Sequence, residues 1–154
     1  MLNVQPLNKH HNKQAFDCGN DNINRHLQQM ASQQCKKGIT QVHIVADGEH
    51  IQAFYTLSAI SLNNELGVIK SYPKQVPAVL IGRLGVSLTQ QGKGLASQLI
   101  ANAMQQAKAI SQVAGVAFVV IDAKTEHLAK YYIDMGFIRL PNNPLRLVYP
   151  ISQI

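Results

Sequence analysis

The sequence predicts an α+β fold (α/β mixed), with helices flanking a central mixed sheet. Three observations carry that expectation. Apolar residues recur at helical spacing in three separate segments, and runs rich in Val, Ile and aromatic residues lie between them. A glycine turn, Gln91-Gly92-Lys93-Gly94-Leu95-Ala96, joins a strand-like segment to a helix-like one. The resulting order is helix, two strands, strand, helix, strand, helix, strand, without an internal repeat or a second domain. The expectation is a single domain over residues 1–154.

The first helix starts near Asp21, a capping residue, and places Ile23, Leu27, Met30 and Ala31 on one side. Lys36-Lys37-Gly38 reads as its basic, glycine-terminated end. Val42–Ala46 and Ile51–Leu57 flank Asp47-Gly48-Glu49-His50, which predicts a hairpin. Ser58–Pro77 contains Tyr72-Pro73 and Val76-Pro77 and reads as a loop with short helical pieces. Val79–Val86 is the next strand. The helix after the glycine turn carries Leu95, Leu99, Ala103 and Ala107 at four-residue intervals, with Ile100 and Met104 widening the stripe. Val116–Ile121 has the near-continuous apolar character of a central strand covered on both faces. Lys124–Asp134 is a short helix ended by Gly136, and Leu145, Leu147, Tyr149 and Ile151 alternate along a final strand.

Fourteen basic against eight acidic side chains give a formal charge of +6, a balance that suits a polyphosphate cofactor, an RNA or an acidic protein. Lys36-Lys37 is the only adjacent basic pair. The polar start carries no secretory pattern. The longest apolar run, Val113–Ile121, is about half of what a membrane crossing requires. A cytoplasmic location and no membrane partner are expected. Cys18 and Cys35 do not make a CxxC pair, and thiols in a reducing compartment are the expectation. His10-His11 lacks the Cys, His or Asp partners of a metal shell, so no metal is expected.

The glycine turn is not a mononucleotide P-loop, because Lys93 is followed by Gly94 where a magnesium-binding hydroxyl would stand. It also lacks dinucleotide GxGxxG spacing. What remains is a metal-free cradle of backbone N–H groups at a helix start, with Lys93 available for charge support. A plain strand-to-helix turn is the alternative.

Gln91, Gly94 and Ala96 occupy the first, fourth and sixth positions of a segment that resembles the Gln/Arg-x-x-Gly-x-Gly/Ala motif of the Gcn5-related N-acetyltransferases. Within Ala129-Lys130-Tyr131-Tyr132-Ile133-Asp134-Met135-Gly136-Phe137, the stretch from Tyr131 to Phe137 resembles the Phe/Tyr-Tyr-x-x-x-Gly-Phe segment late in that fold. The resemblance implies a mostly antiparallel mixed sheet and acetyl-CoA as cofactor. Gln91, Gly92, Lys93, Gly94, Leu95 and Ala96 would wrap the pyrophosphate, and backbone groups of Leu84, Gly85 and Val86 would meet the pantetheine and acetyl carbonyl. Phe16-Asp17-Cys18-Gly19, Phe54-Tyr55-Thr56-Leu57-Ser58, Ile81-Gly82-Arg83-Leu84-Gly85-Val86 and Val120-Ile121-Asp122-Ala123-Lys124 resemble the toxin branch of that superfamily. That likeness, over roughly residues 4–151, implies N-acetylation of aminoacyl-tRNA, a ribbon-helix-helix antitoxin and a homodimer, with no direct DNA binding by this chain alone. Gly85 stands where the branch often has Ala, a change expected to matter little.

Tyr132 is the expected proton donor to the departing thiolate, since a tyrosine with pKa about 10 keeps its proton at neutral pH. Tyr131, its neighbour, points elsewhere and reads as structural. Glu65 and Glu126 read as surface or helix-start charges, leaving no convincing carboxylate base. An α-amine with pKa about 7.7 is roughly 15% neutral at pH 7, against under 0.1% for a lysine. The missing base therefore favours an aminoacyl or N-terminal amine. Lys36, Lys37 and Arg83 are candidates for phosphate contacts, and Tyr55 for the acceptor pocket, with a salt bridge for Arg83 and sheet packing for Tyr55 left open. His26, His127 and Lys124 read as surface or helix residues, and Cys18 as structural or substrate-side. Acetylation of a small amine or a protein N-terminus is the alternative activity, and a non-enzymatic binding module the alternative class.

Overall fold

The computed structural model of the protein describes residues 2–154. In chain order it contains β1 (Gln5–Pro6), α1 (Asp21–Arg25), a π turn (His26–Met30), α2 (Ala31–Lys36), β2 (Gln41–Asp47) and β3 (His50–Asn63). There follow β4 (Gln75–Val86), α3 (Leu95–Ser111), β5 (Phe118–Asp122), α4 (Glu126–Asp134), β6 (Ile138–Leu140) and β7 (Asn143–Pro150). The strands form a sheet in the order β1-β2-β3-β4-β5-β7-β6, and its mixed, mostly antiparallel character is what the family resemblance implies. The residues divide into two compact units, one reaching to Ser58 and including Gly82–Ala103, the other Ala59–Ile81 with Met104–Ile154.

In the first unit, β2 and β3 pair antiparallel, with Asp47 opposite His50 and Gly48 at φ 60° in the two-residue turn. A left-handed residue there matches the strand twist, and glycine takes it without strain. Phe16, Leu27, Ala31, Val42, Ile44, Ile51 and Phe54 form the core, with Phe16 edge-on to Phe54. Two expectations are corrected. The N-cap of α1 is Asn20, whose Oδ1 accepts the N–H groups of Asn22 and Ile23, and Asp21 is the first helical residue. Met30 is 47% exposed, not buried with Leu27 and Ala31. The Ala31 N–H bonds His26 O, so the chain makes one i→i+5 turn, and Met30 sits in the widened part.

In the second unit, β4 and β5 run parallel from Ala78 opposite Phe118 to Ile81 opposite Ile121, and β7 pairs antiparallel with β5 and β6. Its core is Leu62, Val76, Ala78, Phe118, Val120, Leu140 and Val148. Ser58–Pro77 is more regular than expected. Ser58–Leu62 keep the two-residue alternation and extend β3 to Asn63. β4 starts at Gln75, with Pro77 exposed and its carbonyl accepting the Ala117 N–H. The connection between them is organised by Asn64, which is 3% exposed. Its Nδ2 lies 2.9, 3.2 and 3.1 Å from the carbonyls of Ile69, Tyr72 and Pro73, and its Oδ1 accepts the Ile69 N–H at 2.9 Å.

Thr125 caps α4 by accepting the Leu128 N–H, so that helix starts at Glu126, two residues after the expected Lys124. Gly136 ends it at φ 107°, where an added Cβ would lie 3.0 Å from the Tyr149 ring. In β7, Leu147 and Val148 are both buried while Leu145 is exposed, so this strand is covered on two faces at its centre. No helix among the described residues is long and apolar enough to cross a membrane.

Candidate active site

The donor side of the candidate site lies in the first unit, where β4 runs out into the glycine turn. The Arg83 N–H donates to Thr56 Oγ1 at 2.9 Å, and Gly82 lies so close to the same hydroxyl that a Cβ would come within 2.9 Å. Gly85 is enclosed more tightly. A Cβ there would lie 2.9 Å from Ile23 Cγ2, 3.1 Å from Phe54 Cε1 and 3.3 Å from Phe16 Cζ. The expectation that alanine is interchangeable here is therefore corrected: Ile23 and the two phenylalanines already fill the space.

Gly92 and Gly94 both have φ 78°, with no atom within 4 Å of an added Cβ. That leaves open space beside a backbone conformation that side chains rarely adopt. Gly94 O accepts the Gln98 N–H and the Ser97 hydroxyl, which starts α3. Leu99, Ile100, Ala103 and Ala107 bury that helix, so its first turn is anchored from behind. The first N–H groups of a helix have no intrahelical acceptor and carry its positive end. Lys93 is exposed beside them.

Gln91 is held firmly. Its Nε2 donates to Val86 O at 2.9 Å and to Cys18 O at 2.9 Å, tying the turn to the end of β4 and to a loop 73 positions earlier. That loop is organised by Asp17 and Asn24. Asp17 Oδ1 accepts the Gly19 N–H and Asn24 Nδ2, and Asn24 Oδ1 accepts the Cys18 N–H. These bonds hold the Asp17 carboxyl below its ordinary pKa, the Gly19 bond most strongly. Sequence reasoning missed this cluster. The Asx turn at Asp17-Cys18-Gly19 was its one local signal.

The candidates on the acceptor side separate by burial. Lys36, Lys37 and Arg83 are exposed. Tyr55 is fully buried, stacked on His43 at 4.8 Å, with its hydroxyl donating to Asn102 Oδ1 at 2.5 Å. Burial raises its pKa, and the geometry is that of sheet packing. His26, expected as a surface or helix residue, lies in the helical turn but is 2% exposed, and neither ring nitrogen has a partner among the described residues. Burial first and the Arg83 charge second push its pKa down to about 4, so the imidazole is neutral at pH 7. His11 is also buried and accepts the Asn8 N–H on Nδ1.

In the second unit, Tyr132 lies on α4 with 9% exposure, edge-on to Tyr131 at 5.6 Å and tilted against Phe137 at 6.2 Å. Its hydroxyl has no hydrogen-bond partner among the described residues. Burial, and then Tyr131, raise its pKa, so it keeps its proton across the neutral range. Tyr131 is 38% exposed. Glu126 is taken by Arg139, whose guanidinium holds its carboxyl below the usual range, and Glu65 is exposed. Lys124 and His127 are exposed as expected. Among the described residues no cluster of three His, Cys, Asp or Glu could hold a metal.

Residues 25–137 match the Acetyltransferase (GNAT) family. The chain belongs to that family. Among curated relatives, this acetyltransferase is 25% identical over 166 residues to the probable toxin TacT of Sinorhizobium fredii, covering 98% of this chain and 92% of the relative. Among solved structures it resembles AtaT complexed with acetyl-methionyl-tRNAfMet, with a TM-score of 0.89, 25% identity, and coverage of 99% of this chain and 96% of that one. It also resembles a Tyr-to-Phe mutant of AtaT bound to the C-terminus of the antitoxin AtaR and acetyl-CoA. That likeness has a TM-score of 0.86 and 25% identity, and covers 99% of this chain and 95% of the other. The turn at Gln91–Ala96 fits a pyrophosphate on its own geometry: two glycines at φ 78° with open space beside them, at the start of an anchored helix.

Proposed function

We propose that this acetyltransferase moves an acetyl group from acetyl-CoA to the α-amino group of aminoacyl-tRNA, acting as one domain over residues 1–154 and removing that tRNA from translation. The observation that carries the reading is the near full-length likeness to a toxin solved with an acetylated aminoacyl-tRNA. The buried, proton-holding Tyr132 and the open Gly92–Gly94 turn agree with it.

When bound, acetyl-CoA supplies the activated thioester carbonyl. The backbone of Gly92, Lys93, Gly94, Leu95 and Ala96 holds the pyrophosphate, with Gln91 bracing the turn. Backbone groups of Leu84, Gly85 and Val86 polarise the acetyl carbonyl. The α-amine forms the new C–N bond as the C–S bond breaks, and its surplus proton leaves through water. Tyr132 would give its hydroxyl proton to the departing sulfur and regain one through water from the amine, so that no net proton is lost from the enzyme. Glu126 is bound to Arg139, so neither it nor the exposed Glu65 is assigned as base, which suits an α-amine of pKa about 7.7. Lys36, Lys37 and Arg83 contact RNA phosphates and supply salt-dependent affinity. A ribbon-helix-helix antitoxin and a second copy of this chain are the proposed protein partners.

Radiolabelled acetyl-CoA offered with a pool of charged tRNAs, deacylated tRNA, free amino acids and peptides tests the reading. Label should enter the charged tRNA alone, and Tyr132→Phe should slow it by roughly 10²–10⁴-fold. Label on peptides or free amino acids, with none on charged tRNA, overturns the RNA substrate.

A further inference from the structure

The cluster around Asp17 is larger than is needed to close a loop. It joins the cofactor turn to α1 through an unbroken chain of hydrogen bonds within the first unit. On one side, Gln91 Nε2 reaches Cys18 O at 2.9 Å, and the Leu88 N–H reaches Asp17 O at 2.9 Å. On the other, Asn24 takes the Cys18 N–H at 2.9 Å and returns a bond to Asp17 Oδ1 at 3.0 Å. Asn24 sits on α1, one residue after the Ile23 that closes over Gly85. The π turn that follows α1 carries the orphaned His26 ring, so this helix lies beside a place where polar groups are already unsatisfied.

We infer that Gln91 and Asn24 are positioning residues that relay occupancy of the Gln91–Ala96 turn through the Asp17–Gly19 loop to α1. The relay rests on acetyl-CoA occupying that turn. It gives Gln91 a role that backbone contact alone does not require: its amide joins the turn, the end of β4 and the Cys18 loop into one body. A ligand that fixes the turn therefore restrains Cys18 O, and through the Cys18 N–H it restrains Asn24. Each link is worth a modest net amount in water, so the effect is a stiffening of α1 and not a refolding.

Hydrogen exchange of the full chain, with and without coenzyme A, tests the relay, and calorimetry measures coenzyme A binding independently. In the wild type, coenzyme A should slow exchange in both the Gln91–Ser97 turn and residues 18–25, the latter by roughly three- to tenfold, the scale of one net hydrogen bond. In Asn24→Ala, coenzyme A should bind within about twofold of wild type and still protect the turn, while protection of residues 18–25 is lost. If that variant is too unstable to assay, Asn24→Asp keeps the acceptor for Cys18 and loses the donor to Asp17, and should show reduced protection. Coenzyme A binding that leaves residues 18–25 unchanged in wild type, or unchanged protection in the Asn24 variants, overturns the relay. Failure of the wild type to bind coenzyme A overturns the acetyl-CoA reading and the relay with it.

Discussion

Two connections in this molecule are each tied by one side-chain carboxamide, and they are tied for different ends. Asn64 is buried, and each of its side-chain bonds closes on its own loop, between Ile69 and Pro73. Gln91 is exposed, and one of its two bonds reaches a carbonyl 73 positions away. The first arrangement makes a loop rigid for its own sake, because a buried amide without partners is costly. The second leaves little at stake for folding, since water can replace an exposed bond, but it couples two segments. The contrast separates a stability device from a positioning device built of the same chemical group.

The largest expected effect lies on the buried side. Asn64→Ala strands the Ile69 N–H and several carbonyls, and should lower folding stability by about 2–4 kcal/mol. Denaturant melts would show it, and turnover per folded molecule should stay near wild type. A loss of turnover with unchanged stability would erase the distinction between the two loops. Gln91→Met keeps the length of the side chain and removes its donors. It should cost about 1 kcal/mol or less in stability and raise KM for acetyl-CoA several-fold, with a smaller change in kcat.

The effect smallest at pH 7 concerns His26, whose orphaned ring lies in the first unit with Gln91. Its folded pKa of about 4 lies below the ordinary 6.5, so the unfolded chain binds the extra proton first. Its contribution is present above pH 6.5 and is lost as pH falls from there toward 4, at up to roughly 1.4 kcal/mol per unit. His26→Leu should flatten this slope and leave stability at pH 7 unchanged or up by about 1 kcal/mol. Equal acid slopes in the two proteins would mean that His26 is solvated in a way the geometry does not show.

These regions also differ in how well the sequence reveals them. The Gln91–Ala96 turn was legible because glycine spacing, a preceding strand and a following apolar stripe are all local. The hairpin at Asp47–His50 was legible for the same reason. Asn64 was not, because its importance comes from burial, and the neighbouring prolines hid the alternation of Ser58–Leu62. β1 and β6 span two and three residues and leave no periodicity to read. The π turn is a register shift with no composition of its own, so helical spacing alone puts Met30 on the buried face. Tyr55 and Tyr132 are alike as letters in the sequence. Only burial and partners separate a packed hydroxyl bonded to Asn102 from one without a partner among the described residues.

The central claim concerns where the acetyl group ends. Charged tRNA incubated with the protein and acetyl-CoA can be treated with mild base, and the released amino acid identified by mass spectrometry. The account predicts an N-acetyl amino acid from the wild type and, at the same early time points, almost none from Tyr132→Phe. Unmodified amino acid from every charged tRNA, in a reaction where acetyl-CoA is nonetheless consumed, would contradict it.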